Sequence, residues 1–142
     1  IMQFTVYGEP VAKGRPKFSR QGNFVRSYTP TKTTNYENLV KLSYAEACRG
    51  LNNPLEGEVS MRIDAFFSIP KSTSRKKKEL MNTGLIKHTK RPDADNIAKA
   101  ICDALNKVAY ADDSQIVHLE VNKYYSDIPR VEITIEEVLH ER

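Results

Sequence analysis

Apolar and polar residues alternate from Met2 to Tyr7, with Met2, Phe4 and Val6 on one side and Gln3, Thr5 and Tyr7 on the other, which predicts a strand. Gly8 to Gln21 is rich in glycine, proline and basic side chains and reads as a loop, with Asn23 to Tyr28 as a short extended return. Thr29-Pro30 then opens a helix running from about Thr31 to Arg49, with threonine as its cap and proline in its first turn. Tyr36, Leu39, Val40, Ser43, Tyr44 and Ala47 are expected on its buried side, and Gly50 with the turn Asn52-Asn53-Pro54 stops it.

The most regular alternation lies between Glu58 and Ile69. Val59, Met61, Ile63, Ala65, Phe67 and Ile69 share one face, Ser60, Arg62, Asp64 and Ser68 the other, and Pro70 ends the strand. Ser74 to Met81 predicts a short, very basic helix, and Leu85 to Arg91 an extended approach to the next element. Asp93 to Leu105 has helical periodicity, with Ile97, Ala98, Ile101, Ala104 and Leu105 facing inward. Strands are expected over Ile116–Tyr125 and Arg130–Val138, joined by Ser126-Asp127-Ile128-Pro129 as an antiparallel hairpin. This order predicts a single α+β domain over residues 1–142, a mixed β-sheet packed by helices. A chain of 142 residues builds one core of useful size, not two.

Composition narrows the class. An apolar content of 39% and a charged content of 28% suit a soluble globular chain, and no apolar run reaches the length of a membrane span. No signal-peptide pattern is seen, and Cys48 and Cys102 fall in expected helices, so reduced thiols and a cytoplasmic location are expected. The net charge of +4 hides an asymmetry: residues 1–92 carry a balance of +10 and residues 93–142 a balance of −6. A basic half beside an acidic half suits a protein that holds phosphates on one surface and a cation near them.

The acidic half concentrates the chemistry. Asp93 and Asp95 flank a helix start in Arg91-Pro92-Asp93-Ala94-Asp95-Asn96, and Asp112-Asp113 follow one helix later. Asp93 alone reads as a helix cap. A second carboxylate so close repels it unless a positive group lies between, and Mg²⁺ takes one or two carboxylates plus water and phosphate. Asp93, Asp95 and Asp113 are therefore candidate metal ligands, with Asp112 weaker and Asp64 weaker still. Lys99 lies four residues beyond Asp95, where it forms either an ion pair or a phosphate contact beside the metal. Asp103 continues the stripe and reads as structural.

The basic half supplies candidate DNA contacts. Lys13, Arg15, Lys17 and Arg20 lie in an acid-free amino-terminal stretch with Phe18, Phe24 and Tyr28 interleaved, and Phe18 is a candidate base wedge. Lys71, Arg75, Lys76, Lys77, Lys78, Lys90 and Arg91 form a second group. His88, His118 and His140 share no metal-ligand spacing, no Ser/His/Asp spacing is suggested, and there is no P-loop.

These residues resemble a known family. The run Gly8-Glu9-Pro10-Val11-Ala12-Lys13-Gly14-Arg15-Pro16-Lys17-Phe18, then Tyr28-Thr29-Pro30, Pro70-Lys71-Ser72, His88 to Asn96, Lys99-Ala100, Asp103-Ala104-Leu105-Asn106 and Tyr110 to Ile116 are similar in order and spacing to the RusA-type Holliday junction resolvases of bacteria and their phages. The resemblance implies a RusA-like fold and a dimeric Mg²⁺-dependent endonuclease, with Mn²⁺ as a substitute, that nicks four-way DNA symmetrically in recombination and repair. It implies catalytic roles for Asp93, Asp95, Asp113 and Lys99, a homodimer, branched DNA as partner, no membrane, and a place at the bacterial nucleoid, with the gene in the host or in a prophage. One departure is Lys107, where the family often has glycine; either Asn106 takes the left-handed conformation in its place or the helix ends differently. The alternative is a branched-DNA-binding protein without chemistry, whose acids serve only as caps and solubilising groups.

Overall fold

The computed structural model describes residues 1–50 and 53–140. Its strands are β1 (Met2–Tyr7), β2 (Lys17–Gln21), β3 (Phe24–Tyr28), β4 (Val59–Ser68), β5 (Ile116–Ser126) and β6 (Arg130–Glu137), and its helices are α1 (Thr31–Cys48), α2 (Arg75–Asn82) and α3 (Ala94–Leu105). β1, β6, β4 and β5 form one sheet in that order, and β2 pairs with β3 in a separate two-stranded ribbon. β4 runs parallel to β5 and antiparallel to β6, so the sheet is mixed, in an α+β arrangement as expected.

The alternation in β4 decides which face is dry. Val59, Met61, Ile63, Ala65 and Phe67 are buried, together with Phe4 and Val6 of β1 and Val131, Ile133 and Ile135 of β6. Tyr36, Val40, Tyr44 and Cys48 of α1 and Ile97, Ala98, Ile101, Ala104 and Leu105 of α3 complete the same core. The opposite sheet face carries Arg62, Asp64, Glu120, Asn122 and Glu132, a polar surface of the kind an antiparallel-rich sheet leaves to water.

Several expectations change. The last two strands do not pair with each other, because β4 lies between β5 and β6. The chain leaves β4 through α2 and α3 and returns as β5, parallel beside β4, so the two strands are joined by a crossover and not a hairpin. The short turn then carries the chain over the end of β4 to its free edge. Lys17–Gln21 is a strand where a loop was expected, and Gly22-Asn23 makes a two-residue hairpin turn with Gly22 at φ 62°. Thr29 does not cap α1; Pro30 occupies the N-cap position without a side-chain bond. Leu39 and Ala47 are exposed and Ser43 half-buried, whereas Thr33 and Cys48 are buried. α1 ends through Arg49 and Gly50, both at positive φ; Asn52 of the expected stop turn lies outside the described residues. Both cysteines are free thiols.

Candidate active site and nucleic-acid interface

α3 organises the acids. Asp93 stands at its N-cap position with an extended backbone, yet its carboxylate makes no capping hydrogen bond. The cap expected of it is therefore absent, and the carboxylate stays available at an exposed helix start. Asp95 follows in the first turn, is exposed, and enters no ion pair among the described residues. The approach to Asp93 is tied to the sheet. His88 stacks on Phe67 with ring centroids 3.7 Å apart and meets Tyr125 edge-on at 5.2 Å. Lys123 of β5 donates from Nζ to the carbonyl of Lys90 at 2.6 Å. Burial lowers the Lys123 pKa, and the nearby charge of Asp93 partly opposes that shift. Nothing in the local pattern marks Lys123, because its place depends on the parallel pairing of β5 with β4.

Asp113 is fixed at the other end of the helix. Its backbone N–H donates to Oδ1 of Asn106, which follows α3, at 3.0 Å. Gln115 clamps the same turn, donating from Nε2 to the carbonyls of Leu55 and Gly57 at 2.8 and 2.9 Å and accepting the Asp112 N–H at 2.7 Å. Tyr110 adds a 2.6 Å bond from its hydroxyl to the Cys102 carbonyl. Lys107, not Asn106, takes the left-handed conformation, at φ 65°. Asp112 accepts the Ser114 hydroxyl at 2.7 Å, which holds its pKa below the usual carboxylate value.

The rise of an α-helix separates Asp95 from Asn106 by roughly 16 Å along the axis. In keeping with that span, no three His, Cys, Asp or Glu side chains among the described residues gather closely enough to hold a metal ion. The chain thus presents two acidic stations, Asp93 with Asp95 at the start of α3 and Asp113 in the turn tethered to its end. Burial, followed by the charges of Asp103 and Asp113, pushes the Cys102 thiol up to about 11. Lys99 lies between the stations, 61% exposed, and pairs with Asp103 at 3.4 Å rather than with Asp95. Asp64 is on the opposite face of the sheet, where it accepts from Arg62 at 3.0 Å and Asn122 at 2.9 Å. That placement separates it from both stations.

The basic residues divide in the same way. Lys13 donates to Glu37 at 2.6 Å and approaches Asp103 at 3.3 Å, while its N–H binds the Asn96 carbonyl at 3.1 Å. Burial works against its charge, but these two carboxylates outweigh it and raise the pKa. Lys13 therefore fastens the amino-terminal loop to α1 and α3. Gly14 brings that loop close: its N–H donates to Thr33 Oγ1 at 2.9 Å, and a Cβ there would stand 2.8 Å from that oxygen. Docked in this way, the loop forms one wall of a groove lined by Arg15, Lys32, Arg91, Asp93 and Asn96. Arg75, Lys76, Lys77 and Lys78 are exposed on α2, which Ser74 caps by accepting the Lys77 N–H at 3.3 Å. Cations in a first helical turn oppose the helix dipole, so local helix energetics do not account for them. Lys17, Arg20, Lys71 and Lys90 are exposed, as is Phe18 on the ribbon.

The family model described as Endodeoxyribonuclease RusA matches residues 7–136. The chain belongs to the RusA endodeoxyribonuclease family. It is 43% identical over 139 residues to the uncharacterised protein YqaN of Bacillus subtilis (strain 168), covering 96% of each chain. It is also 49% identical over 51 residues to the crossover junction endodeoxyribonuclease rusA of Lactococcus phage r1t, covering 35% of this chain and 39% of the phage protein. The protein is thus an endodeoxyribonuclease, and nucleases of the RusA family are metal-dependent. Its exposed carboxylates are hard oxygen donors of the type that Mg²⁺ and Mn²⁺ accept. The Asp93–Asp95 pair meets the need of a cation that keeps most of its waters. No described helix is long and apolar enough to cross a membrane.

Proposed function

We propose that the protein is a Mg²⁺-dependent, structure-selective endonuclease that resolves four-way DNA junctions by paired, symmetric phosphodiester hydrolysis. The observation that carries this reading is the uncapped carboxylate of Asp93, which lines the same groove as Arg15, Lys32 and Arg91. A phosphodiester held by those cations lies beside the acid best placed to hold a metal. The name of the phage relative supports the choice of substrate.

In this reading Asp93 and Asp95 hold the cation, with water and phosphate oxygens in its remaining positions, and Asp113 meets the bound backbone at the opposite end of α3 as the acid of the second station. Held there, Mg²⁺ would supply Lewis acidity, easing loss of a proton from the attacking water and offsetting the charge that develops on the phosphate oxygens. Arg15 and Arg91 orient the backbone, and the exposed ammonium of Lys99 offsets negative charge in the transition state. Lys17, Arg20, Lys71, Lys90 and the α2 cations hold the flanking arms. Two symmetric cuts need two symmetric sites, so the working form is a homodimer.

The test is a synthetic four-way junction with Mg²⁺ or Mn²⁺, comparing wild type with Asp93→Asn, Asp95→Asn and Asp113→Asn. Each variant is expected to bind the junction as wild type does and to nick it at least about 100-fold more slowly, a loss of roughly 2.7 kcal/mol of transition-state stabilisation. Wild-type nicking by Asp95→Asn would remove the pair from the mechanism. Wild-type nicking by Asp113→Asn would remove Asp113 alone from the mechanism.

A further inference from the structure

The β2–β3 ribbon stands apart from the main sheet, and all its strand residues except the half-buried Ser19 are exposed. Strand register assigns its side chains to two different faces. Lys17 opposite Tyr28, Ser19 opposite Arg26 and Gln21 opposite Phe24 share one; Phe18 opposite Ser27 and Arg20 opposite Val25 share the other.

On the first face, Arg26 lies between two aromatic rings. The residues opposite Arg26 and Phe24 are the polar Ser19 and Gln21, which offer no apolar cover, and Phe24 remains 79% and Tyr28 48% exposed. Alternate residues of a strand recur about every 6.6 Å, roughly twice the 3.4 Å between stacked bases of one DNA strand. A base resting on one ring is therefore spaced away from a base on the next group, as bases are once they leave the duplex stack. Residues 17–28 contain no acid, so the face is also matched to phosphate. A second copy of the chain is a poor occupant, since pairing like faces would set Lys17 and Arg26 against their equals.

We propose that the Phe24–Arg26–Tyr28 face, with Lys17, is a stacking platform for unpaired bases at the branch point, through which the enzyme prefers branched to linear DNA. This rests on the junction-nuclease reading given above. It is distinct from a wedge role for Phe18, which projects from the opposite face. Base–aromatic stacking tolerates any sequence, so the platform selects structure and not a base order.

The experiment uses the double variant Phe24→Thr/Tyr28→Thr, which preserves strand preference and removes both rings. Affinity is measured for a four-way junction, a linear duplex and a single-stranded oligonucleotide, with 5-iodouracil at the junction centre for photo-crosslinking. The variant is expected to lose about tenfold to 100-fold for the junction and the single strand, to keep its duplex affinity, and to lose branch-point crosslinks that map to Phe24 or Tyr28 in wild type. Unchanged thermal melting shows that the fold is intact. A wild-type junction-to-duplex ratio in the variant, or crosslinks mapping elsewhere, overturns the platform even where junctions are cleaved normally. Ring-dependent single-strand binding by a protein that ignores junctions would support the platform and overturn the junction reading alone.

Discussion

Oδ1 of Asn106, just beyond the carboxyl end of α3, accepts the backbone N–H of Asp113 at 3.0 Å. The bond sets the turn that carries Asp113 without using the Asp113 carboxylate. Asn106→Ala is expected to cost about 1 kcal/mol of stability. Nicking should fall about tenfold while junction affinity is kept, because a misplaced reacting group costs rate before it costs binding. Single-turnover cleavage beside a binding titration checks this, and a wild-type rate would dissociate the tether from catalysis.

Lys13 and Arg15 are two residues apart but face different partners. Lys13→Met leaves Glu37 and Asp103 without their shared ammonium, and the expected loss is about 1–3 kcal/mol of stability. Arg15→Ala, in the groove, is expected to leave the melting temperature within a degree or so and weaken DNA binding. Its salt slope should fall by about one, as for one lost phosphate contact. Thermal melts and binding at several salt concentrations separate the two outcomes. Equal loss of DNA affinity with intact stability in both variants would contradict the division.

Lys123 tethers the segment before Asp93 through the Lys90 carbonyl. Lys123→Met is expected to reduce turnover about tenfold or more with little change in junction affinity. Lys123→Arg, which keeps a charged donor, is expected to recover much of that loss. Failure of arginine to recover anything, with normal melting, would point away from positioning.

His88 provides the pH prediction. Burial, then the charge of Lys123 with a smaller contribution from Lys90, lowers its pKa below the ordinary 6.5, against the opposing charge of Glu9. Above about 6.5 the ring is neutral in both folded and unfolded chains, and its stabilising contribution is complete. As the pH falls toward the folded pKa, the unfolded chain takes up the proton first, so stability declines. Melting temperature is expected to drop as the pH falls below about 6.5, and His88→Phe, which keeps the stack on Phe67, to flatten that part of the curve. An equal slope in the variant would assign the effect to other groups.

The sequence by itself determined the elements whose side chains alternate between water and core. β1, β4 and α3 follow directly from Phe4 and Val6, from Val59 to Phe67, and from Ile97 to Leu105, because burial of apolar surface imposes the period of each element. It also marked the residues for the chemistry, since carboxylates and ammonium groups keep their character wherever they are placed. Tertiary structure alone decided which strands are neighbours, and so that β4 separates β5 from β6 and brings Lys123 to the Lys90 carbonyl. It also decided that Lys13 is neutralised within the chain, that Asp64 faces away, and that α3 holds Asp113 at the opposite end from Asp93 and Asp95. Such relationships depend on the path of the backbone between elements, and a turn of a few residues is compatible with more than one path across a sheet. Local periodicity carries no record of that choice, which is made by packing the whole core at once.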